Sequence, residues 1–139
     1  MNREKTAPHQ LLEQQRSTLA WNLIREEVKG KDFEKKYRAW VERLPAMIMT
    51  NGLGQTLAFL RSKPGEMEKK TLYEHISEWL LSNKAPINWV NSKGEKLHEG
   101  ELMERIQETT GVVYLQATQE ALRFTIWLKR YAGAMLKKE

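Results

Sequence analysis

Apolar residues recur at helical spacing along nearly the whole chain. Leu12, Leu19 and Leu23 share one face, with Ala20 and Ile24 beside it. That pattern predicts a first helix over residues 8–28. The polar stretch Lys29-Gly30-Lys31-Asp32 breaks it, with Gly30 placed to cap its end and Asp32 to cap the start of the next. Phe33, Tyr37, Trp40 and Leu44 then follow at spacings of four, three and four, which is a core stripe. Pro45 interrupts or kinks that helix, because proline lacks an N–H and disfavours helical geometry at Leu44.

The segment 45–62 is apolar all round. Met47, Ile48 and Phe59 project to one side of a helical wheel; Met49, Leu53, Leu57 and Leu60 project to the other. Two glycines, Gly52 and Gly54, sit near its middle. One reading is a buried central helix in which the glycines let a neighbouring backbone approach, offsetting the roughly 1 kcal/mol each costs. The other is a turn at Asn51-Gly52 between two short helices.

Ser62-Lys63-Pro64-Gly65-Glu66 is a further break. Thr71 and Glu74 have the spacing of a capping box that would open the next helix, with Leu72, Ile76, Trp79 and Leu80 as its buried face. Residues 83–100 hold Pro86, Gly94 and Gly100 and read as a long connection. Within it, Ile87–Val90 could pair with Lys96–His98 as a tiny hairpin. A short helix around Leu102 and Ile106 and a long final helix over 112–136 complete the chain. The prediction is an all-α bundle of about six helices, one domain over 1–139 with residues 1–8 as a loose polar tail.

Composition narrows the chemistry. At 139 residues the chain can bury a real core. The N-terminus is polar and charged, and no apolar run approaches the roughly 18 residues of a membrane span, so neither a signal peptide nor an anchor is expected. The absence of cysteine excludes disulfides, cysteine-ligated zinc, iron–sulfur clusters and thiol catalysis, and fits a reducing cytoplasm. The net charge of +5 is uneven. Residues 1–65 carry 12 Lys and Arg against 7 acids, residues 66–108 carry 6 against 9, and residues 109–139 carry 5 against 2. Basic ends and an acidic middle suggest an anionic partner for the ends and permit head-to-tail packing of copies; an unevenly charged solvated surface is the simpler reading.

No catalytic constellation is present. His9, His75 and His98 lack metal-pair spacing, and His75, flanking a buried face, reads as a satisfied structural histidine. The Gly-x-Gly of 52–54 lacks the further glycine or Gly-Lys-Ser/Thr of a phosphate loop. No nucleophile elbow occurs. Neither catalytic activity, cofactor nor metal is expected.

What remains is basic and aromatic. Arg123, Arg130 and Lys137 recur every seven residues of the final helix. Trp127 lies beside them, opposite a core face of Tyr114, Ala117, Thr118, Ala121, Leu128 and Ala132. Stacking on an unpaired base, docking into a protein, or simple coverage by charged stems would each account for it. Lys36 and Arg43 share a flank of the second helix. Arg16 lies inside the apolar stripe of the first; its guanidinium either snorkels to the edge or crosses a groove toward an anion. Arg61 and Lys63 would complement the dipole at the end of the central segment.

Three blocks resemble a known family. They are Glu34–Leu60 (EKKYRAWVERLPAMIMTNGLGQTLAFL), Leu72–Leu80 (LYEHISEWL) and Ala117–Leu136 (ATQEALRFTIWLKRYAGAML). With Gln15-Arg16 and Ala20, they span most of 10–137 and resemble the small subunit of the type III-B CRISPR effector, the Cmr complex. The region 83–100, with Trp89, is longer than that pattern. The resemblance implies a small all-helical, non-catalytic subunit. It would stack head to tail beside the backbone subunit and contact the phosphates of the crRNA–target RNA duplex with a basic face. By position it implies Arg16, Lys36, Arg43, Arg123, Lys129 and Arg130 as RNA contacts. A helical adaptor whose basic face binds an acidic protein is the alternative.

Overall fold

The structure, a computed structural model, describes residues 10–139. The tail, His9 and the expected helix start at Pro8 lie outside the described residues. Helix α1 runs from Leu12 to Leu23 and continues through a π turn, Ile24–Val28. It is followed by α2 (Glu34–Val41), α3 (Leu44–Asn51), α4 (Leu53–Arg61), α5 (Met67–Leu80), α6 (Leu102–Glu108) and α7 (Gly111–Met135). The long helix α7 is the axis of the bundle; α1, α2, α3 and α5 all pack against it. Its buried face carries Val113, Ala117, Ala121, Phe124, Leu128 and Ala132, small residues alternating with large ones so that neighbours can close in. Trp79 of α5 stacks on Phe124 with ring centroids 5.7 Å apart and an interplanar angle of 14°.

The all-α expectation holds, with seven helices among the described residues where about six were predicted. The extra one comes from the central segment, which divides at Gly52 into α3 and α4. Gly52 has φ 89° and ψ 160°, a region that only glycine enters without strain. Its N–H donates to Ile48 O (2.9 Å) and its carbonyl accepts from Thr56 N (3.2 Å), so one residue ends one helix and begins the next. The turn at Asn51-Gly52 is therefore the correct alternative. Gly54 serves a different purpose. Its N–H, unpaired by the helix in the first turn of α4, donates to the Tyr114 hydroxyl of α7 at 2.9 Å. A Cβ there would stand 3.3 Å from that oxygen. The close approach is real, but a side chain makes it rather than a backbone. Splitting the segment also explains Met49, which is 76% exposed although the wheel buries it. The wheel assumes one axis, and here there are two.

Other local expectations give way to tertiary contacts. Helix α5 starts at Met67, and Thr71 is buried inside it rather than capping it. Asp32 caps nothing; instead the Glu34 carboxylate of α2 accepts from Gly30 N at 2.8 Å and from Lys137 N at 2.6 Å. These two backbone donors tie the α1–α2 connection and the chain end together. The Lys137 hydrogen bond holds the Glu34 carboxyl below the usual range despite its burial. Arg38 adds a bond to Leu136 O at 2.8 Å. Pro45 occupies the first turn of α3, where its missing N–H leaves no helical bond unmade. The hairpin in 83–100 reduces to one antiparallel bridge between Val90 and Lys96. That connection is docked by Trp89, whose buried indole N–H donates to Leu80 O, 3.0 Å away, at the end of α5.

His75 is 1% exposed and fully partnered, as a structural histidine should be. The Tyr37 hydroxyl lies 2.8 Å from Nδ1, and Glu27 Oε1 lies 2.9 Å from Nε2. Burial pushes Tyr37 well above its ordinary value, so it stays protonated and donates to Nδ1. Nε2–H then donates to Glu27, which the π turn carries. Desolvation lowers the His75 pKa, and the Glu27 carboxylate opposes this without reversing it.

Two measurements test these arrangements. Gly52→Ala should cost about 1–3 kcal/mol in urea unfolding, because φ 89° is strained for any side chain. A folded-state His75 pKa below the unfolded value of about 6.5 means that the unfolded chain binds the proton first. Stability from this group is complete above that pH and falls as pH drops through it. The urea midpoint should fall between about pH 7.5 and about pH 5.5, and His75→Gln should shrink that fall.

Candidate functional site

The cationic residues of α7 meet α1 along a groove. Glu13 and Arg16 from α1, and Arg123, Ile126, Trp127 and Arg130 from α7, line a volume of about 670 Å³. A second hollow continues from it, sharing Ile126 and Arg130 and adding Lys129, Gly133, Glu42 and Pro45. Arg123, Ile126 and Arg130 recur at spacings of three and four, so they form one ridge on the solvent side of α7.

Under that ridge lies a buried carboxylate. Glu120 is 2% exposed. It accepts from Arg16 Nε at 2.9 Å and from Nη2 of the same guanidinium at 2.7 Å, a two-pronged pair between α1 and α7. The Trp79 indole N–H of α5 adds a third bond at 3.0 Å. Arg123 Nη1 approaches at 3.4 Å. Burial alone would push Glu120 up; the Arg16 and Trp79 hydrogen bonds and the two positive charges outweigh it and hold the carboxyl below its ordinary value. Arg16 does cross toward an anion, but that anion is internal. Two of its donors are engaged by Glu120, and its charge is matched there.

Trp127 is half-buried rather than set opposite the core. Its ring packs on Tyr131 at 5.6 Å between centroids, tilted by 33°. Tyr131 is held in turn by the Ser17 hydroxyl at 2.5 Å and by an edge-on contact with Trp21 at 5.1 Å. The third member of the predicted stripe, Lys137, lies beyond the end of α7 at Leu136 and is not part of the ridge.

Four of the six expected contacts, Arg16, Arg123, Lys129 and Arg130, thus border one continuous surface. Lys36 and Arg43 line neither hollow. Arg43 lies over the Trp40 ring, 4.8 Å from its centroid. Lys69 of α5 sits 4.4 Å from that centroid and is buried, paired with Glu66 and Glu68. Trp40 also packs on Phe59 of α4 at 5.3 Å. Lys36, four residues before Trp40, shares this flank and is exposed. Arg61 makes a two-pronged pair with Glu101 at 2.7 and 3.0 Å rather than merely complementing a helix end. With the Tyr73 hydroxyl it lowers the Glu101 pKa to about 2.

Sequence reasoning missed Glu120. A signal for it existed: an acid at 120 falls within the stripe Val113, Ala117, Ala121, Phe124, just as Arg16 falls within the stripe of α1. Two opposite charges in apolar stripes of different helices are most simply explained by each other. Among the described residues no cluster of three or more metal-ligating side chains occurs. Nor is any helix among them long and apolar enough to cross a membrane.

Comparison with known proteins agrees with this architecture. Residues 12–135 match the family model for CRISPR-associated protein (Cas_Cmr5). The chain is 29% identical over 119 residues to the CRISPR system Cmr subunit Cmr5 of Thermus thermophilus, covering 86% of this chain and 90% of that protein. It also resembles the crystal structure of a CRISPR-associated Cmr5 family protein from Thermus thermophilus, with a TM-score of 0.71 and 25% identity, covering 92% of this chain and 100% of that one.

The buried pair makes a prediction of its own. Glu120→Ala should destabilise the fold by about 3–5 kcal/mol, because it leaves the Arg16 charge buried and unmatched. Arg16→Met combined with Glu120→Gln should recover more than half of that loss, since glutamine still accepts from Trp79. Urea unfolding of the single and double variants reads both effects.

Proposed function

The chain belongs to the Cmr5 family of CRISPR-associated proteins, and from that membership we propose that it is a non-catalytic small subunit of a type III-B Cmr effector that contacts RNA phosphates with its basic surface. The observation that carries this reading is the ridge on α7. Arg123, Lys129 and Arg130 project from one of the three blocks that carry the family likeness and border one continuous groove. Among the described residues Lys129 and Arg130 make no ion pair, so their charge is uncompensated. A row of cations on a rigid helix binds phosphates without reading bases. Such binding suits a subunit that must accept any guide, where base pairing supplies the specificity.

In this proposal the residues contribute unequally. Arg123, Lys129 and Arg130 make the primary contacts with the crRNA–target RNA duplex. Arg16 contributes less, because Glu120 matches its charge. Lys36 on α2 and Arg43, at the start of α3, form a separate basic flank, fitted to a neighbouring segment of the same strand or to the backbone subunit. Several copies stacked head to tail would present these surfaces repeatedly, so weak individual contacts add up along one strand. The protein would work in the cytoplasm with the other effector subunits and without a cofactor.

Salt dependence tests the reading. The logarithm of affinity for an RNA strand should fall linearly with the logarithm of salt, with a slope of about −0.7 for each phosphate contacted. Arg123→Glu with Arg130→Glu should weaken binding and flatten that slope. Association with an acidic protein but no RNA binding, alone or within an assembled effector, would transfer the basic surface to an adaptor role.

A further inference from the structure

The groove between α1 and α7 contains more than phosphate binding requires. A phosphate track needs cations on an open ridge. This one is a hollow of about 670 Å³ with an aromatic ring and an exposed isoleucine set among the arginines. Ile126 is 44% exposed, in the middle of the most cationic surface of α7. Apolar surface left there stabilises nothing in the free protein.

The Trp127 ring is also held in a defined orientation. It rests on Tyr131, which Ser17 and Trp21 of α1 fix from the other side. Two helices therefore hold the indole against the hollow. Arg123 and Arg130 flank it at i−4 and i+3, within reach of a phosphate on either side of a ring stacked there. Among the described residues Glu13 is the one acid in the lining. A carboxylate repels phosphate, but it accepts a hydrogen bond from the N–H groups on a base edge.

We infer that this groove receives a single unstacked nucleotide of an RNA strand, with its base on Trp127 and Ile126, its flanking phosphates on Arg123 and Arg130, and an N–H of its base edge on Glu13. The inference rests on the RNA-binding reading above and goes further, because it places a base, and not only a backbone, on this subunit. Trp127 supplies stacking energy that does not depend on base identity, so general guide acceptance is preserved. A fully paired duplex gives the groove phosphates only; a bulged, flipped or unpaired nucleotide fills it.

The test uses the full chain and short RNAs of equal phosphate number: a single strand, the same strand with its bases removed at abasic sites, and a blunt duplex. Binding is read by fluorescence anisotropy at fixed salt. The intact strand should bind more tightly than the abasic strand by about 5- to 150-fold, the worth of one stacked base. Trp127→Leu should remove that difference, leave duplex affinity unchanged and leave the salt slope unchanged; Trp127→Phe should keep most of it. Equal affinity for intact and abasic strands, or an equal loss on strand and duplex in Trp127→Leu, overturns the base site while leaving phosphate binding standing. Failure of all three RNAs to bind at low salt overturns both readings. Free AMP competing with the strand at equal concentration would assign the hollow to mononucleotides and overturn its role on a strand.

Discussion

Glu120 is the point on which the bundle is organised. A carboxylate buried on the inner face of the central helix has a large desolvation cost unless its oxygens are filled. Here they are filled from two other helices: the Arg16 guanidinium of α1 and the Trp79 indole of α5. Each partner has a fixed direction, the guanidinium as a planar fork and the indole as a single N–H. Together they set the rotation of α1 and α5 about α7 more narrowly than apolar packing alone, which tolerates sliding. Trp79 adds its stacked contact with Phe124 one turn further along.

The same constraint shapes the surface. With Arg16 drawn inward to Glu120, α1 lies close along α7 and the groove between them has one wall from each helix. Arg123 leans toward Glu120 from outside at 3.4 Å, and Arg130 stands clear. The groove therefore grades from a compensated interior to an uncompensated rim. Such a gradient keeps a buried ion pair from neutralising the charge that a polyanion would meet. Unmatched cations at the rim lose little by remaining hydrated.

The ends of the chain are secured by similar means. Glu34 collects Gly30 N and Lys137 N, and Arg38 takes Leu136 O, so that the α1–α2 connection and the segment after α7 meet on α2. His75 links Tyr37 of α2 with Glu27 of the π turn. At these contacts a polar side chain is partnered from a distant element.

The sequence by itself determined the class of the molecule and much of its core. Helical spacing identified α1, α2 and α7, because burial along a helix repeats with the helix's own period. Tyr37, Ile76, Trp79 and Leu80 were legible as core for that reason. The three blocks from 34 to 136 also carried the family. Tertiary structure alone decided which charges were available. The sequence left open whether the Arg16 guanidinium reached the edge or an anion; Glu120 of α7 binds it, while Arg130 makes no ion pair among the described residues, because pairing depends on which helices adjoin. Tertiary structure also chose between the two readings of the central segment, left Thr71 buried inside α5 rather than capping it, and took Lys137 off the ridge. For Arg16 and Lys137 a contact from a remote segment decided the outcome, and no local pattern encodes a partner that lies tens of residues away.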